Sequence, residues 1–408
     1  MSIDHLFKAP FRPVQGGLFQ KVTKADVGDG AIRLMEQGVT LLCWADPFFP
    51  DPSTPPHVRQ AALDAIQNGA EVHYTMPIGS PSLKEAIGKK LRSQGFTFID
   101  PQRNILITPG SDSGLFYAMF PFLEPGDEVL IPDPSYPNNT QNATLMGAVA
   151  VHVPLRPEDG YRLPVEEFRR LCTDRTKMVV LTNPNNPTST VFSKAEISEL
   201  CRLIVEKDLV LVVDQAFEDI LFDDHTMVHA ALEEGMWERT VTVCSVSKGM
   251  GLSGYRVGYL VAHEGIMDRL YGAAVTVQGA TNTLAQIAAQ AAFQDDSFME
   301  SYRQSYDRRR RYLYDKFTQI PGVKMQLPQS SFLAWVDVSA LGDSTQIMEY
   351  LVQHARCLVN DGKIYGASGA GYLRISYGCV KKDEDLFDAV DRMAKALGEL
   401  SRQKSIAE

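Results

Sequence analysis

Residues 178–214 have the sequence MVVLTNPNNPTSTVFSKAEISELCRLIVEKDLVLVVD, and this stretch decides the fold. It contains two apolar runs, at 178–181 and 209–213, on either side of a helical pattern at 193–207. A strand that is covered on both faces is apolar throughout, so continuous apolar runs joined by a helix predict neighbouring parallel strands. The stretch therefore predicts a strand–helix–strand unit of an α/β protein.

The same alternation continues on both sides of this unit. Further apolar runs lie at 105–108, 128–131 and 240–244, and further helical patterns lie at 112–122 and 138–146. After about residue 295 a long charged helix leads to strands near 332–336, 356–359 and 372–376, with helices near 344–353 and 383–401. This order predicts an α/β fold: a large domain with a mostly parallel sheet of the seven-stranded type, and a smaller α+β domain. We expect an N-terminal arm at 1–55 that joins the small domain, the large domain at 56–295 and the small domain at 296–408.

The composition argues against several classes of protein. The chain has 40 Lys and Arg against 50 Asp and Glu, a net charge of −10, so nucleic acid is not an expected partner. The basic run 308–311 is interpreted as a solvated helix face. The longest uncharged stretch, 272–293, contains Gln, Asn and Thr and predicts a buried helix region, not a membrane span. Six cysteines without a CxxC pair, and the lack of an apolar block at 1–13, predict reduced thiols in a cytoplasmic protein.

Polar and aromatic residues follow three of the apolar runs. Ligands bind an α/β sheet beyond the carboxyl ends of its strands, so these residues are candidates for a site. Ser111 and Asp112 begin a helix whose backbone N–H groups could bind phosphate, although such residues are also ordinary N-caps. Tyr136, between two prolines, could stack on a flat ligand or simply belong to a turn. Asn186 lies in a turn whose two Asn-Pro pairs direct amides into the crevice.

Two charged residues follow the other two runs. An unpaired carboxylate at Asp214 would be costly at the end of an apolar strand, so it needs a cationic partner from the protein or from a ligand. Lys248 comes just after Ser245 and is followed by a glycine-rich turn and Arg256. A lysine held among apolar strands has a lowered pKa and can form Schiff bases. Arg256 would complete the anion site that begins at Ser111.

Two other patterns are not interpreted as sites. Residues 249–254 match GxGxxG, but a dinucleotide-binding turn follows the first strand and opens a helix, whereas this one leads into another strand-like run. His225 and His229 are four residues apart but have no glutamate beside His225 and no clear helix, so no metal site is predicted.

Taken together, these motifs resemble the fold-type I pyridoxal-phosphate enzymes of the class I and II aminotransferase family, over roughly residues 41–400. The resemblance implies pyridoxal 5'-phosphate as the cofactor, with Lys248 as its Schiff-base lysine and the carrier of the proton. It implies that Asp214 pairs with the pyridinium nitrogen, that Tyr136 stacks on the ring and that Asn186 bonds the ring oxygen. The phosphate site would consist of Ser111, Asp112, Ser245 and Arg256, together with Tyr74 of a neighbouring subunit. Arg374 would bind the substrate α-carboxylate, beside Asn186 and Ala45.

The resemblance implies an aminotransferase that moves an amino group between an amino acid and a 2-oxo acid. The alternative is another carbanion enzyme on the same fold, a racemase, lyase or oxidase, because pocket details decide the fate of the carbanion. The sensor domain of a transcription regulator is disfavoured, since the roughly 40 residues ahead of the resemblance show no helix-turn-helix pattern. We expect amino acid and 2-oxo acid substrates and a homodimer whose interface Tyr74 crosses, with neither nucleic acid nor a membrane as a partner.

Three positions depart from the family pattern. Phe217 stands where the family usually has a tyrosine that donates to the ring oxygen. Ser189 stands where glycine is usual, and Trp44-Ala45-Asp46-Pro47 replaces a glycine-led loop that normally lies near the substrate carboxylate. The assignment of the cofactor does not depend on these positions, whereas the assignment of the reaction rests in part on them.

Overall fold

The computed structural model describes residues 29–407. The strands of these residues are β1 (Thr40–Leu41), β2 (Ile105–Thr108), β3 (Glu128–Asp133), β4 (Val149–Pro154), β5 (Thr176–Thr182), β6 (Val210–Asp214), β7 (Thr240–Ser245), β8 (Gly258–Val261), β9 (Lys324–Met325), β10 (Leu333–Asp337), β11 (Cys357–Leu358), β12 (Asn360–Asp361) and β13 (Tyr372–Ser376).

The same residues also contain α-helices. They are α1 (Asp29–Glu36), α2 (Pro56–Gln67), α3 (Pro81–Ser93), α4 (Pro101–Asn104), α5 (Ser111–Met119), α6 (Pro137–Leu145), α7 (Val165–Leu171), α8 (Lys194–Glu206), α9 (Glu264–Val277), α10 (Thr283–Gln294), α11 (Phe298–Phe317), α12 (Ser344–His354) and α13 (Asp383–Ala407). Among these helices, none combines the length and the apolar character that a membrane span requires.

Seven strands form the central sheet in the order β2-β8-β7-β6-β5-β3-β4. β8 is antiparallel to both of its neighbours, and the other neighbouring pairs are parallel. The five apolar runs predicted in the large domain form strands whose bounds lie within two residues of the prediction. The prediction of an α/β fold with a mostly parallel sheet is therefore confirmed.

The apolar runs are continuous because helices cover both faces of the sheet. In β5, Val179 and Leu181 pack in the cluster that contains Leu200 and Leu203 of α8. The alternate residues Met178 and Val180 pack with residues of α5 and α9 on the opposite face. Helix α8 begins at a capping box, in which Ser193 accepts from the backbone of Glu196 and Glu196 accepts from the backbone of Ser193.

The C-terminal residues form a second, antiparallel sheet in the order β12-β13-β10-β9. α11, α12 and α13 contribute to the apolar cluster that covers it. β1 pairs with β11 in parallel, Thr40 opposite Cys357, and so connects residues 40–41 to this part of the chain. This pairing supports an arm that joins a small domain, and the division into 1–55, 56–295 and 296–408 stays a proposal.

β4 and the stretch 272–293 are two of the places where the structure differs from the prediction. β4 was not expected, because it lies at the edge of the sheet, where most of its residues are accessible and no continuous apolar run is needed. The uncharged stretch 272–293 was expected to be one buried helix region, but it forms the end of α9 and most of α10, with a break between them. Val277, at the end of α9, is 60% exposed, so burial was wrong for this end of the stretch.

The interpretation of 308–311 as a solvated face was wrong for two of its four arginines. Arg309 and Arg310 are completely buried. Arg309 donates to Asp383 at 2.7 Å and to carbonyl oxygens of residues 377–381, and Arg310 donates to Asp223 at 2.9 Å. These acceptors offset the cost of burying the charges. Most of them lie far from the run in the chain, so the local sequence does not reveal them.

Candidate active site

The carboxyl ends of β5, β6 and β7 meet at one edge of the central sheet. Thr182 and Asp214, the last residues of β5 and β6, lie opposite each other, and Asp214 lies opposite Val243, two residues before the end of β7. The turn that carries Lys248 follows β7 at this edge. Parallel strands therefore bring together residues that are far apart in the chain.

Asp214 is a buried carboxylate without a cationic partner among the described residues. Its side chain is 4% exposed and accepts a hydrogen bond from the backbone N–H of Ala216 at 3.0 Å. It forms no ion pair within residues 29–407. Burial raises the pKa of Asp214 to about 7, because desolvation penalises the charged form more than the hydrogen bond from Ala216 favours it. A cation bound beside it would restore the ionised form.

The amine of Lys248 points into the same crevice. Its Nζ donates to the carbonyl oxygen of Ala45 and lies 6.0 Å from the ring centroid of Phe217. Burial lowers the pKa of Lys248, and the carboxylates of Asp112 and Asp46 oppose that change. A lysine with a lowered pKa has more of the neutral amine, which is the nucleophilic form.

The turn after Lys248 packs on a buried ion cluster that the sequence did not reveal. Lys90 of α3 donates to Glu218 at 2.8 Å and to Asp219 at 2.7 Å. A Cβ atom added at Gly249 would lie 2.5 Å from Cβ of Asp219. The cluster therefore supports the backbone next to Lys248. The two acids follow Asp214 closely in sequence, but Lys90 comes from a distant helix, and no local signal pairs it with them.

A second group of the expected residues lies where α5 begins. Gly110, with φ 84°, precedes Ser111, and no side chain caps this helix, so its first N–H groups are available to an anion. A Cβ atom at Gly110 would lie 2.5 Å from Nη2 of Arg256, so glycine permits the guanidinium to approach the helix start. Ser245, at the end of β7, accepts from the backbone of Ser247 at 3.1 Å.

Tyr136 and Asp112 are joined by a hydrogen bond. The Tyr136 hydroxyl donates to Oδ1 of Asp112 at 2.8 Å, and Asn138 donates to the same oxygen at 3.0 Å. Burial, and then the neighbouring carboxylate of Asp112, raise the pKa of Tyr136 well above its ordinary value. Tyr136 is therefore a neutral donor at physiological pH, and its hydroxyl is fixed by Asp112.

Arg374 on β13 closes the crevice from the side of the C-terminal sheet. Its Nη2 donates to the carbonyl oxygen of Cys43 and to Asn360, both at 2.7 Å, and its Nη1 donates to Asn186 at 3.2 Å. Nε of Arg374 is buried and has no hydrogen-bond partner among the described residues. Since a buried donor without a partner is costly, the guanidinium is suited to bind a carboxylate, to which Nε would donate. Asn360 was not predicted, although it directly follows the strand expected at 356–359.

The turn between β5 and α8 uses its three asparagines differently. Asn183 accepts from the backbone of Phe192 at 3.1 Å, and Asn185 donates to Thr188 at 2.8 Å, so both stabilise the turn. Asn186 reaches Arg374. Ser189 has φ 60°, a conformation that glycine adopts at lower cost, and its hydroxyl bonds Leu333 O and Ser331 Oγ at 2.7 Å. These contacts account for a serine where glycine is usual.

Comparisons with known proteins identify the family. The model of class I and II aminotransferases matches residues 38–393. The chain belongs to this family. It is 32% identical to an aspartate aminotransferase of Pyrococcus abyssi, with 86% of this chain and 90% of the relative covered. It is 31% identical to an aromatic-amino-acid aminotransferase of Thermococcus litoralis, with the same coverage. The crystal structure of an aromatic aminotransferase from Pyrococcus horikoshii superposes with a TM-score of 0.83 at 32% identity, over 90% of this chain and 98% of that one.

The protein is thus a pyridoxal-phosphate-dependent aminotransferase, as the motifs predicted. The relatives are aminotransferases, and they give no support to a racemase, lyase or oxidase. The described residues fit the cofactor: Asp214 lacks a cation, the start of α5 lacks a cap, and the amine of Lys248 lies in the same crevice. These features match a pyridinium nitrogen, a phosphate and an aldehyde, respectively.

Tyr74 is the one predicted site residue that this chain does not bring to the crevice. It is 97% exposed, and Met76 beside it is also exposed. Phe217, in contrast, is buried and packs edge-on against Phe332 at 5.4 Å, next to Lys248. The aminotransferase thus has an apolar ring where the family usually has a hydroxyl.

Gly249→Ala tests whether the buried ion cluster positions Lys248. The added methyl group would collide with Asp219, so we expect the turn that carries Lys248 to shift. The affinity for pyridoxal phosphate should then fall by at least about tenfold, which is a modest effect for an overpacked position. Gly254→Ala is a matched control in the same turn, because a Cβ atom there meets nothing within 4 Å. Fluorescence titration of the cofactor-free variants measures the affinities, and equal affinities for the two would contradict the role of the cluster.

Proposed function

We propose that this aminotransferase binds its cofactor between Tyr136 and Asp214 and uses Lys248 to move the proton during amino transfer between an amino acid and a 2-oxo acid. When bound, pyridoxal phosphate supplies the carbonyl that receives the amino group and a ring that withdraws electrons. The observation that carries the proposal is the buried, unpaired carboxylate of Asp214 in the crevice that holds the Lys248 amine. Asp214 would pair with the ring nitrogen and keep it protonated.

The remaining residues orient the two ligands. Ser111, Asp112 and Ser245 would bind the phosphate through the start of α5 and the end of β7, with Arg256 as its cation. Nε of Arg374, which has no partner among the described residues, would donate to the α-carboxylate of the substrate, while Asn186 stays bonded to Arg374. Ala45 would lie beside the substrate, since its carbonyl oxygen accepts from Lys248. A clamp on the carboxylate holds the Cα–H bond within reach of Lys248.

The substrates that the relatives' names suggest are aspartate and aromatic amino acids. Both carry the α-amino and α-carboxylate groups that Lys248 and Arg374 would bind, so these two residues do not distinguish between the two classes of substrate. All six cysteines are free thiols, which supports the cytoplasm as the location.

A single-turnover experiment tests the function. With an amino donor and no acceptor, the holoenzyme should convert its cofactor stoichiometrically to the amino form and release one 2-oxo acid per subunit. Lys248→Ala should slow this step by roughly 10²–10⁴-fold, the usual contribution of a positioned acid–base group. Borohydride reduction of the wild type should attach the cofactor to Lys248. A label on another lysine, or turnover of the donor without release of a 2-oxo acid, would contradict the proposal.

We further propose a homodimer in which Tyr74 reaches the phosphate of the partner's site. Val72, Tyr74 and Met76 are exposed. Their segment is hydrogen-bonded to the loop that follows α9 and to the first residue of α10: Thr75 donates to the carbonyl of Thr281 at 3.3 Å, and Thr283 donates to the carbonyl of His73 at 2.6 Å. Val275 and Val277 near the end of α9 are also exposed, and exposed apolar side chains of this kind are what subunits bury.

Tyr74→Phe tests the dimer and the role of the hydroxyl separately. We expect sedimentation velocity to show a dimer for both proteins, because the aromatic ring remains. The affinity for pyridoxal phosphate should fall in the variant, since one hydrogen bond to a charged group is lost, worth roughly 1.5–3 kcal/mol. A wild-type protein that is fully active as a monomer would refute the shared site.

A further inference from the structure

The charges of the crevice do not balance once its ligands are assigned. The cations that face it are Lys248, Arg256 and Arg374, and each has a proposed role with the cofactor or the α-carboxylate. Asp214 likewise would pair with the ring nitrogen. The carboxylates of Asp46 and Asp112 then have no cationic ligand group assigned to them, since Asp112 would meet the phosphate through its backbone at the start of α5.

The structure gives these two acids little cationic compensation. Among residues 29–407, Asp112 has one ion-pair partner, Arg256, at 3.6 Å. Arg256 would be shared with the phosphate, which is itself an anion. Asp46 has no ion pair in the described part of the chain, and its carboxylate accepts from the hydroxyl of Ser253. It lines a cavity of about 310 Å³ beside the glycine-rich turn, together with Gly251 and Ser253.

Asp112 stands at the open side of the crevice. Its side chain is 48% exposed, and its Oδ1 is fixed by Tyr136 and Asn138. Arg374 lies toward the C-terminal sheet, bonded to Asn360 and Cys43. A substrate with its carboxylate on Arg374 and its amino group at Lys248 would extend its side chain away from the C-terminal sheet. Asp112 is the carboxylate on the exposed side, and Arg256 beside it, which is equally exposed, would be committed to the phosphate.

We propose that Asp112 is a specificity-determining residue that disfavours substrates with a second carboxylate and favours amino acids whose side chain is uncharged. The proposal rests on the amino-transfer function above. A side-chain carboxylate would meet Asp112 and Asp46 without finding an uncommitted lysine or arginine among the described residues. Like charges brought together without compensation repel, and water at the exposed side weakens the repulsion without removing it. This selectivity differs from the one that the name of the Pyrococcus abyssi relative states.

Substrates of equal size that differ only in charge provide the test. The kcat/KM of the holoenzyme is measured for aspartate against asparagine and for glutamate against glutamine. We expect the amide to be preferred in each pair. Asp112→Asn should shift both ratios toward the acid by about tenfold, which corresponds to ~1.4 kcal/mol. Asp174→Asn is the matched control. It removes the same charge from an exposed position just before the amino end of β5, whereas the crevice lies at the carboxyl ends of the strands, and it should leave the ratios unchanged.

The outcomes separate this inference from the proposed function. If the wild type prefers the acid in both pairs, or if Asp112→Asn remains active with unchanged ratios, Asp112 does not determine specificity while amino transfer stands. If no amino acid converts the cofactor to the amino form, the proposed function itself is wrong. The wild-type ratios test the inference even if Asp112→Asn loses the cofactor.

Discussion

The site depends on one costly arrangement: a carboxylate at the end of a buried strand with no cation beside it. Asp214 ends β6 in the middle of the central sheet, and the only described hydrogen bond of its carboxylate comes from the backbone of Ala216. The folded protein without its cofactor therefore holds an acid whose pKa is raised to about 7. In the proposed function a pyridinium nitrogen would relieve this cost, so the burial of Asp214 would contribute to the affinity and the selectivity for a cationic ring.

The rest of the crevice surrounds this acid from three directions. The strand ends supply Asp214 and the turn that carries Lys248. The buried cluster of Lys90, Glu218 and Asp219 packs against this turn at Gly249. The start of α5 offers its N–H groups to an anion. The C-terminal sheet contributes Arg374, whose contacts with Asn186 and with the carbonyl of Cys43 connect three distant parts of the chain. In the proposed function each ligand group would meet a complementary charge from a different element.

The sequence predicted the sheet, and the places of several site candidates on it, for one physical reason. Parallel strands buried on both faces are continuous apolar runs, and the residues after each run are placed by the fold at one edge. Lys248, Asp214, Asn186 and Arg256 could therefore be expected at this edge without a structure, and their roles there remain a proposal.

Features that depend on contacts between distant segments could not be predicted in this way. Lys90 is a helix residue like many others until its two acids are brought to it, and Asn360 becomes relevant only when β12 lies beside β13. Arg309 and Arg310 seemed to belong to a solvated face because their acceptors are loop carbonyls and carboxylates from elsewhere. β4 is the outermost strand of the central sheet, and it lacks the continuous apolar run that burial on both faces imposes on the inner strands.

The ionisation of Asp214 is the most direct test of this account. Isotope-edited infrared difference spectra of the cofactor-free protein and the holoenzyme, recorded at about pH 6, report protonated and ionised aspartate separately. Because burial raises the pKa of Asp214 to about 7, its carboxyl should be mostly protonated without the cofactor and ionised with it. The loss of one protonated-carboxyl band on cofactor binding, absent from Asp214→Asn, is the predicted result. A spectrum in which no carboxyl changes, or in which Asp214→Asn shows the same change, would contradict the claim that this unpaired acid receives the cofactor.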